Sequence, residues 1–503
     1  MSDKQSPSKE KSLCSTFEWL LIALALAFTY RAFLLEAYKI PTGSMAPTLR
    51  GDRFAVACQS CGEKFDYGFI PERYRRGANR EGFYQLDPGT ICPNCGTTSR
   101  PVASKINGDR ILVFKGSYYF HDPDRWDVFV FKNPTEPHLN YIKRLVGLPG
   151  EKIEIIDGDI YINDKITRKP AKVQNELWMP VFDSRLTEVV AYSQNREPVS
   201  PMMNSEGSNW RYIENGRSFS LDETEGKKHE LYYNYKQGRD LRAFYSYNRY
   251  DMINVAPFFS DMMLEAYVAF PDQSGEFEAV LSKYGTEYTA SLDVSGTMTV
   301  SAKEPSGKRN VIAEKTIKPL DTDRPVRFCF ENLDHVLRFS FGPETLEYDF
   351  GREAHAMGEP GRLRPQIKVA GSGRLRVENL RIMRDIYYYG TGFDDETLRA
   401  GEGRPYTLGE DEFFACGDNS PASSDSRYWD APGIGNNAKT YPAGVVPRDY
   451  LIGKAFFVYW PGSFKYNLNP KFSKLGKFAI LPNVSEMKFI YGGVDDAEIE
   501  AEE

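Results

Sequence analysis

The stretch IPTGSMAPTL at residues 40–49 decides how this chain is interpreted. It places Ser44 in a turn rich in glycine and proline, soon after an apolar N-terminal segment. Serine, glycine and proline are ordinary turn residues, so Ser44 taken alone would be a turn serine. A serine hydroxyl becomes an effective nucleophile when a neighbouring base removes its proton. A functional interpretation of Ser44 therefore requires a base elsewhere in the chain.

A candidate base lies in the stretch NYIKRLVGLPG at residues 140–150, which follows RWDVFVF at residues 125–131. Apolar residues surround Lys143 in a pattern typical of a strand. A lysine in such surroundings loses hydration, and its pKa falls toward neutrality, where the amine could accept the Ser44 proton. The alternative is that Lys143 points to solvent from an edge strand, as most lone lysines do.

Two more stretches accompany this pair. GDRILVFK at residues 108–115 opens with a turn and continues as an apolar run, which predicts a buried strand. CGDNSPASSDSR at residues 416–427 predicts a polar loop rich in Asx and serine turns. We expect an ion pair between Asp425 and Arg427 to shape this loop, with Arg144 as a further member. Ser423 is expected to hydrogen-bond the base and orient it.

Thr42 is a candidate for stabilising negative charge beside Ser44. It lies two residues before Ser44. Its hydroxyl and the Ser44 N–H could together stabilise an oxyanion, at roughly 3 kcal/mol per donor.

The four stretches, in this order after an apolar segment, resemble the type I signal peptidase (leader peptidase) family. The resemblance covers about residues 18–52, 104–156 and 413–461. It implies that Ser44 is the nucleophile and Lys143 the base. Thr42 and Ser44 would form the oxyanion hole, and Ser423 would orient the base. Asp425 and Arg427 would form a structural ion pair. One departure is Ser420, which stands where the family usually has arginine after Gly-Asp-Asn.

This resemblance also implies a fold and a substrate. The expected fold is mostly β, with an N-terminal transmembrane helix followed by a signal-peptidase-like β-barrel core and an inserted β-sandwich-like domain. The implied reaction is cleavage after small residues, in an Ala-x-Ala-like pattern, at the end of a signal peptide. Shallow pockets would select small side chains, and the extended peptide would add a strand to a sheet edge. No cofactor is expected for catalysis.

The N-terminal segment FEWLLIALALAFTYRAFLL at residues 17–35 is expected to be an uncleaved membrane anchor. It reaches spanning length if Arg31 snorkels to an interface. Lys4, Lys9 and Lys11 precede it and favour a cytoplasmic N-terminus. The catalytic part would then lie on the outer, periplasmic side of the inner membrane, attached by a single span. A cleaved secretory signal is the alternative.

Two Cys-x-x-Cys-Gly sequences, about thirty residues apart, predict a tetrahedral structural zinc site. The four expected ligands are Cys58, Cys61, Cys92 and Cys95. Disulfide bonds are the alternative, because this segment would face an oxidising compartment. Four thiolates close the coordination sphere, so a catalytic zinc is not expected.

The cysteine-containing segment is one insertion between the four stretches. A second insertion, at residues 164–404, is strand-rich. In its middle, apolar and other residues alternate over residues 264–270, 288–294, 326–330 and 336–341. This alternation predicts an antiparallel sandwich. We interpret this insertion as structural elaboration. The predicted organisation is a cytoplasmic N-terminus and anchor at 1–36, a core at 37–163 plus 405–470 with the zinc-ribbon-like insert at 58–95, a β-rich insertion at 164–404, and a C-terminal segment with an acidic tail at 471–503.

The formal charge of −7 argues against a nucleic-acid binder, because phosphate affinity comes from clustered lysine and arginine. The expected partners are preprotein signal peptides and membrane lipid, with secretion machinery as a further candidate. Two other functions remain open. A non-catalytic envelope binding protein would use the sandwich as its working part. A self-cleaving serine–lysine repressor would need a helix-turn-helix and a cytosolic location, which this chain does not suggest.

Overall fold

The computed structural model describes residues 16–25, 34–68, 89–99, 105–186, 200–213, 216–272, 274–319, 324–359, 363–392, 396–436, 438–462 and 483–493. The helices are α1 (residues 16–25), α2 (Ser117–Phe120) and α3 (Ala171–Leu177). Short 3-10 helices occur at Ser184–Leu186, Tyr250–Val255, Ser420–Ala422, Arg448–Tyr450 and Val484–Glu486.

The strands dominate the chain, and in chain order they are β1 (Leu35–Lys39), β2 (Arg53–Ala57), β3 (Lys64–Gly68), β4 (Thr90–Ile91), β5 (Thr98–Ser99), β6 (Lys105–Ile106), β7 (Arg110–Phe114), β8 (Val128–Lys132), β9 (Asn140–Gly147), β10 (Lys152–Ile156), β11 (Asp159–Ile162), β12 (Lys165–Ile166), β13 (Met179–Asp183), β14 (Met202–Asn204), β15 (Arg211–Ile213), β16 (Ser218–Asp222), β17 (His229–Tyr233), β18 (Met262–Ala269), β19 (Gly275–Lys283), β20 (Thr286–Asp293), β21 (Thr297–Lys303), β22 (Arg309–Thr316), β23 (Val326–Leu333), β24 (Val336–Phe341), β25 (Glu344–Asp349), β26 (Ile367–Arg384), β27 (Tyr406–Thr407), β28 (Glu412–Cys416), β29 (Gly433–Ile434), β30 (Thr440–Tyr441), β31 (Val446–Pro447), β32 (Leu451–Trp460) and β33 (Lys488–Phe489). The prediction of a mostly β fold with barrel-like sheets is confirmed.

An eight-stranded sheet contains or borders the four sequence stretches that carry the family resemblance. Its order is β1-β7-β32-β8-β9-β28-β31, and β33 pairs with β32. The strand predicted from GDRILVFK is β7, which lies between β1 and β32. The apolar run of β8 is buried and pairs with β9. This sheet therefore brings together segments from both ends of the chain.

A 14-stranded assembly contains all strands from β13 to β26. The four strands predicted in the insertion correspond to β18, β20, β23 and β24. The 18-residue strand β26 is its centre, because its first half pairs with β17 and β19 and its second half pairs with β13, β16 and β18. Gly373, at φ +78°, lies between these halves, where a side chain would meet the backbone of Gly275. Glycine adopts such a positive φ readily, and it allows this close approach.

The N-terminal segment is described only in part. Helix α1 covers residues 16–25, and residues 26–33 of the predicted anchor lie outside the described residues. Within the described ranges, no helix combines the length and the apolar character that a membrane crossing requires. The predicted transmembrane helix is therefore not confirmed.

Candidate active site

The serine turn, residues 40–49, follows β1 and is held by buried apolar side chains. Met45 and Leu49 are fully buried and belong to one cluster with Ile111 and Val113 of β7. The Leu49 N–H donates to the Met45 carbonyl at 2.8 Å. Ser44 directly precedes Met45 and is half-buried. The core therefore fixes the backbone on which the Ser44 hydroxyl is carried.

Lys143 lies on β9, a strand flanked by β8 and β28. Its amine donates to the Ser44 hydroxyl at 2.8 Å and to the Ile142 carbonyl at 3.1 Å. Only 3% of the residue is exposed. Lys143 therefore does not point to solvent, and the two side chains that the sequence analysis paired are in hydrogen-bond contact.

Burial lowers the pKa of Lys143 to about 8. The charge of Asp425 opposes this effect, and the nearby charge of Arg427 adds to it. An amine with such a pKa is partly neutral at physiological pH and can accept a proton from a hydroxyl. The electrostatic surroundings of Lys143 thus suit a general base.

The polar loop after β28 contains a buried ion pair. Arg427 donates from Nε and Nη2 to the two carboxylate oxygens of Asp425, at 2.9 and 2.7 Å. Both side chains are fully buried. This two-point contact holds the loop that passes beside Lys143.

Arg144 does not join that pair, which corrects the expectation from the sequence. It donates instead to both oxygens of Asp418, at 2.9 and 2.8 Å. Successive side chains of a strand point to opposite faces, so Arg144 points away from the face that Lys143 occupies. The pairing of β9 with β28 sets Cys416 opposite Arg144, and Asp418 follows two residues later. The structure thus contains two buried ion pairs where the sequence suggested one.

Two residues of this loop were missed by the sequence analysis. Asn419 donates its backbone N–H to the Ser44 carbonyl at 3.0 Å and its side-chain amide to the Gly43 carbonyl at 2.9 Å. The Ser420 hydroxyl accepts hydrogen bonds from Arg427 and from the Tyr389 N–H. Their sequence signal, Gly-Asp-Asn-Ser, is that of an ordinary turn. The hydrogen bonds of Asn419 to the serine turn become apparent only in the folded chain.

Ser423 and Thr42 are near the pair, but their predicted roles remain predictions. The Ser423 hydroxyl is buried and forms no hydrogen bond within the described ranges. It packs close to the backbone of Gly417, which leads into the same loop. Thr42 is half-buried in the serine turn. The hydrogen bond expected between Ser423 and the base is therefore not formed in this structure.

The four cysteines of the two Cys-x-x-Cys-Gly sequences converge. All four sulfur atoms lie within 4.8 Å of one another, and none forms a disulfide. A tetrahedral zinc site with Zn–S bonds of about 2.3 Å requires sulfurs about 3.8 Å apart, which agrees with this spacing. Gly62 and Gly96 have φ of +76° and +72°, as the tight turns beside the sulfurs require. The cluster could bind zinc.

A second group of possible ligands consists of Asp159, Asp261 and Asp334, all buried. Lysine amines pair with two of these three carboxylates. Lys283 donates to Asp261, and Lys169 donates to both oxygens of Asp334 at 2.9 Å. These contacts are those of a buried ion network between β11 and the 14-stranded assembly.

A serine hydroxyl in contact with a buried lysine amine is an arrangement suited to a nucleophile and its base. A family model described as "Signal peptidase, peptidase S26" matches residues 13–74, 97–224 and 380–460, just over half of the chain. The chain therefore belongs to the peptidase S26 family of signal peptidases, and the resemblance stated from the sequence is confirmed.

Curated relatives agree with this assignment. "Signal peptidase I" of Rickettsia bellii (strain OSU 85-389) is 29% identical over 166 residues, which are 33% of this chain and 45% of that protein. The protein of the same name from Rickettsia conorii is 31% identical over 150 residues, 29% of this chain and 43% of that one. The chain thus spans about half the length of the curated relatives it matches.

Solved structures match the chain only distantly. A carbohydrate-binding module from Bacillus subtilis aligns with 36% of this chain and 95% of its own, at 12% identity and a TM-score of 0.25. A galectin from Caenorhabditis elegans aligns with 32% of this chain and 94% of its own, at 7% identity and a TM-score of 0.20. Similarity at this level supports no conclusion about ligands.

Proposed function

We propose that this chain is a membrane-bound serine endopeptidase that removes signal peptides from exported preproteins. The observation that carries the proposal is the 2.8 Å contact between the Lys143 amine and the Ser44 hydroxyl, with the lysine buried. Membership of the signal peptidase family supports the substrate class. A serine–lysine pair needs no cofactor for this chemistry.

The proposed reaction begins with proton transfer. Neutral Lys143 removes the Ser44 proton while the hydroxyl oxygen attacks the carbonyl carbon of the scissile peptide bond. The negative charge on the former carbonyl oxygen is stabilised by the Ser44 N–H and the Thr42 hydroxyl. Protonated Lys143 then gives its proton to the departing amine, which leaves an ester on Ser44. Lys143 next activates water, which hydrolyses the ester and restores the serine. The Ser423 hydroxyl forms no hydrogen bond to the lysine here, so it would have to rotate toward the amine to orient it in these steps.

The peptide is expected to bind as an added strand, beside the serine turn. Strand β1 is at the edge of the eight-stranded sheet and leads into that turn. Among the described residues it pairs only with β7. An extended peptide that hydrogen-bonds the free edge of β1 would approach Ser44, and shallow pockets would then select small side chains.

Membrane attachment is part of the proposal. Six large apolar side chains of α1 are between 45% and 69% exposed, which supports burial of this segment in lipid. We infer a single inner-membrane anchor, with a cytoplasmic N-terminus and the catalytic part on the periplasmic side. Secretion machinery remains a candidate partner.

We further infer a structural zinc held by Cys58, Cys61, Cys92 and Cys95. The proposed division of the chain is that given from the sequence. The family model leaves residues 225–379 unmatched, within the proposed insertion at 164–404, and also residues 75–96, most of which belong to the zinc-ribbon-like insert at 58–95. The envelope binding function remains the alternative, but no observation on the insertion favours it.

The test uses the full chain in detergent and a preprotein with an Ala-x-Ala site. Wild type, Ser44→Ala and Lys143→Met are compared. Lys132→Met is the matched control, because Lys132 lies on the adjacent β8 and its amine contacts Asn436 at 3.1 Å instead of a serine. Melting temperatures of all variants show whether each one is folded.

The expected result is cleavage at the Ala-x-Ala site by wild type and Lys132→Met, with loss of at least about a thousandfold in the other two variants. Equal cleavage by all variants would refute the serine–lysine assignment. No cleavage by folded wild type would refute the peptidase function for this substrate class and favour the binding-protein alternative.

A further inference from the structure

A segment of the proposed insertion, residues 244–248, contacts the serine turn. The Tyr247 hydroxyl donates to the Asp52 carbonyl at 3.3 Å, just past the turn. The Gly68 N–H donates to the Tyr247 carbonyl at 2.8 Å, and the Thr90 hydroxyl donates to the Ser246 carbonyl. We name residues 244–248 the bridging segment. It joins the insertion, the cysteine-containing insert and the serine turn.

The bridging segment ends in a reciprocal amide pair. The side chain of Asn248 donates to Oδ1 of Asn419 at 2.8 Å, and the side chain of Asn419 donates to Oδ1 of Asn248 at 2.9 Å. Asn248 is 8% exposed and Asn419 is 1% exposed. Hydrogen bonds shielded in this way are not readily replaced by water.

Asn419 transmits this contact to the serine turn. The second N–H of its amide donates to the Gly43 carbonyl at 2.9 Å. That carbonyl and the Ser44 N–H belong to one planar peptide group, in which C=O and N–H point in opposite directions. Any group that fixes the Gly43 carbonyl therefore also fixes the direction of the Ser44 N–H.

We propose that Asn248 is a positioning residue of the active site, which acts through Asn419 to orient the Ser44 N–H toward the developing oxyanion. This inference rests on the proposed function. It makes the insertion a working part of the catalytic site, because one of its side chains sets the geometry of an oxyanion donor.

The physical reason lies in the two unlike ends of the Asn419 amide. With Asn248 present, Oδ1 of Asn419 receives a hydrogen bond, and the NH₂ group faces the Gly43 carbonyl. Without Asn248, Oδ1 of Asn419 is buried without a donor, which is unfavourable. A flipped amide would not relieve this, because Oδ1 would then face the Gly43 carbonyl oxygen, which is also an acceptor. In either state the peptide group of Ser44 is held less firmly.

The experiment measures kcat and KM for preprotein cleavage by the full chain in detergent. Asn248→Ala removes the amide, and Asn248→Leu removes it while keeping a similar volume. Asn332→Ala is the matched control, because Asn332 is fully buried in β23 and donates to the Ser260 carbonyl at 3.3 Å. Wild type and Ser44→Ala establish whether the peptidase reaction itself occurs.

Both Asn248 variants are expected to lose about tenfold or more in kcat, with KM within about twofold of wild type, since the oxyanion donor acts in the transition state. The pH at which activity is half-maximal should not move, because Lys143 is untouched. In an Asn419→Ala background, Asn248→Ala should add less than about twofold. Asn332→Ala should keep the kcat of wild type.

Three results would overturn the inference. They are a wild-type kcat in Asn248→Leu, a kcat loss equally present in Asn332→Ala, and fully additive losses from Asn248→Ala and Asn419→Ala. If wild type itself does not cleave, the proposed function fails, and this inference fails with it. If wild type cleaves, Ser44→Ala does not, and Asn248→Leu equals wild type, only this inference fails.

Discussion

The amine of Lys143 lies 2.8 Å from the hydroxyl of Ser44, although 99 positions separate the two residues in the chain. Ser44 is carried by a turn anchored under β7, and Lys143 is carried by β9 in the same sheet. Neither residue is notable in its own stretch of sequence. Their contact, made by a buried lysine, is what supports a general-base role.

The first prediction concerns pH. Because burial lowers the pKa of Lys143 to about 8, the neutral, active form grows as pH rises through 8. We expect kcat/KM to fall about tenfold per pH unit well below this value, as expected for one essential base. A pH series of preprotein cleavage measures this. Circular dichroism at each pH is the control for unfolding, and constant turnover down to pH 5 would exclude Lys143 as the base.

The second prediction concerns the buried ion pair of Arg144 and Asp418. Arg144→Ala leaves the Asp418 carboxylate buried without its partner, so we expect a loss of about 3–5 kcal/mol in the free energy of unfolding. Chemical denaturation followed by tryptophan fluorescence measures this loss. Arg448→Ala is the control, because its partners Asp122 and Asp411 are 85% and 49% exposed, and such exposed pairs contribute at most about 1 kcal/mol each. Equal losses in the two variants would contradict the prediction.

The third prediction concerns the four cysteines. Purified protein should contain one zinc ion per chain, and Cys92→Ser should lower both the zinc content and the melting temperature. Elemental analysis and a thermal scan with and without a strong chelator measure these effects. Cys329→Ser is the control, since Cys329 is buried in the 14-stranded assembly and lies outside the four-cysteine cluster. Metal-free protein whose four thiols resist alkylation until reduced would instead indicate disulfides.

The fourth prediction concerns Gly43. A Cβ atom at this position would lie 2.1 Å from a ring carbon of Tyr247. Gly43→Ala must therefore displace either the bridging segment or the serine turn, and we expect kcat to fall about tenfold or more. Truncation of the ring in Gly43→Ala/Tyr247→Ala removes the clash, so kcat should recover relative to Gly43→Ala. Wild-type kcat in Gly43→Ala would show that the turn tolerates the displacement.

Much of the site could be predicted from local sequence. Ser44 and Lys143 can be paired from the sequence, because a turn serine and a lysine in an apolar strand can act as nucleophile and base. The four insertion strands were predicted from alternation, and β18, β20, β23 and β24 occupy those positions. The close approach of the four cysteines agrees with their Cys-x-x-Cys spacing. Each of these features depends on neighbouring residues or on a regular period.

Partners that are far apart in the chain are set by tertiary packing. Asp418, not Asp425, pairs with Arg144, because strand alternation and the register of β9 against β28 determine which carboxylate it meets. Asn248 reaches Asn419 across 171 positions, and no local pattern marks either residue. Local sequence sets the periods and turn residues that make the strands, the turns and the cysteine pairs. The register, the burial of Lys143 and the contact of the insertion with the serine turn follow from packing, which depends on the whole chain.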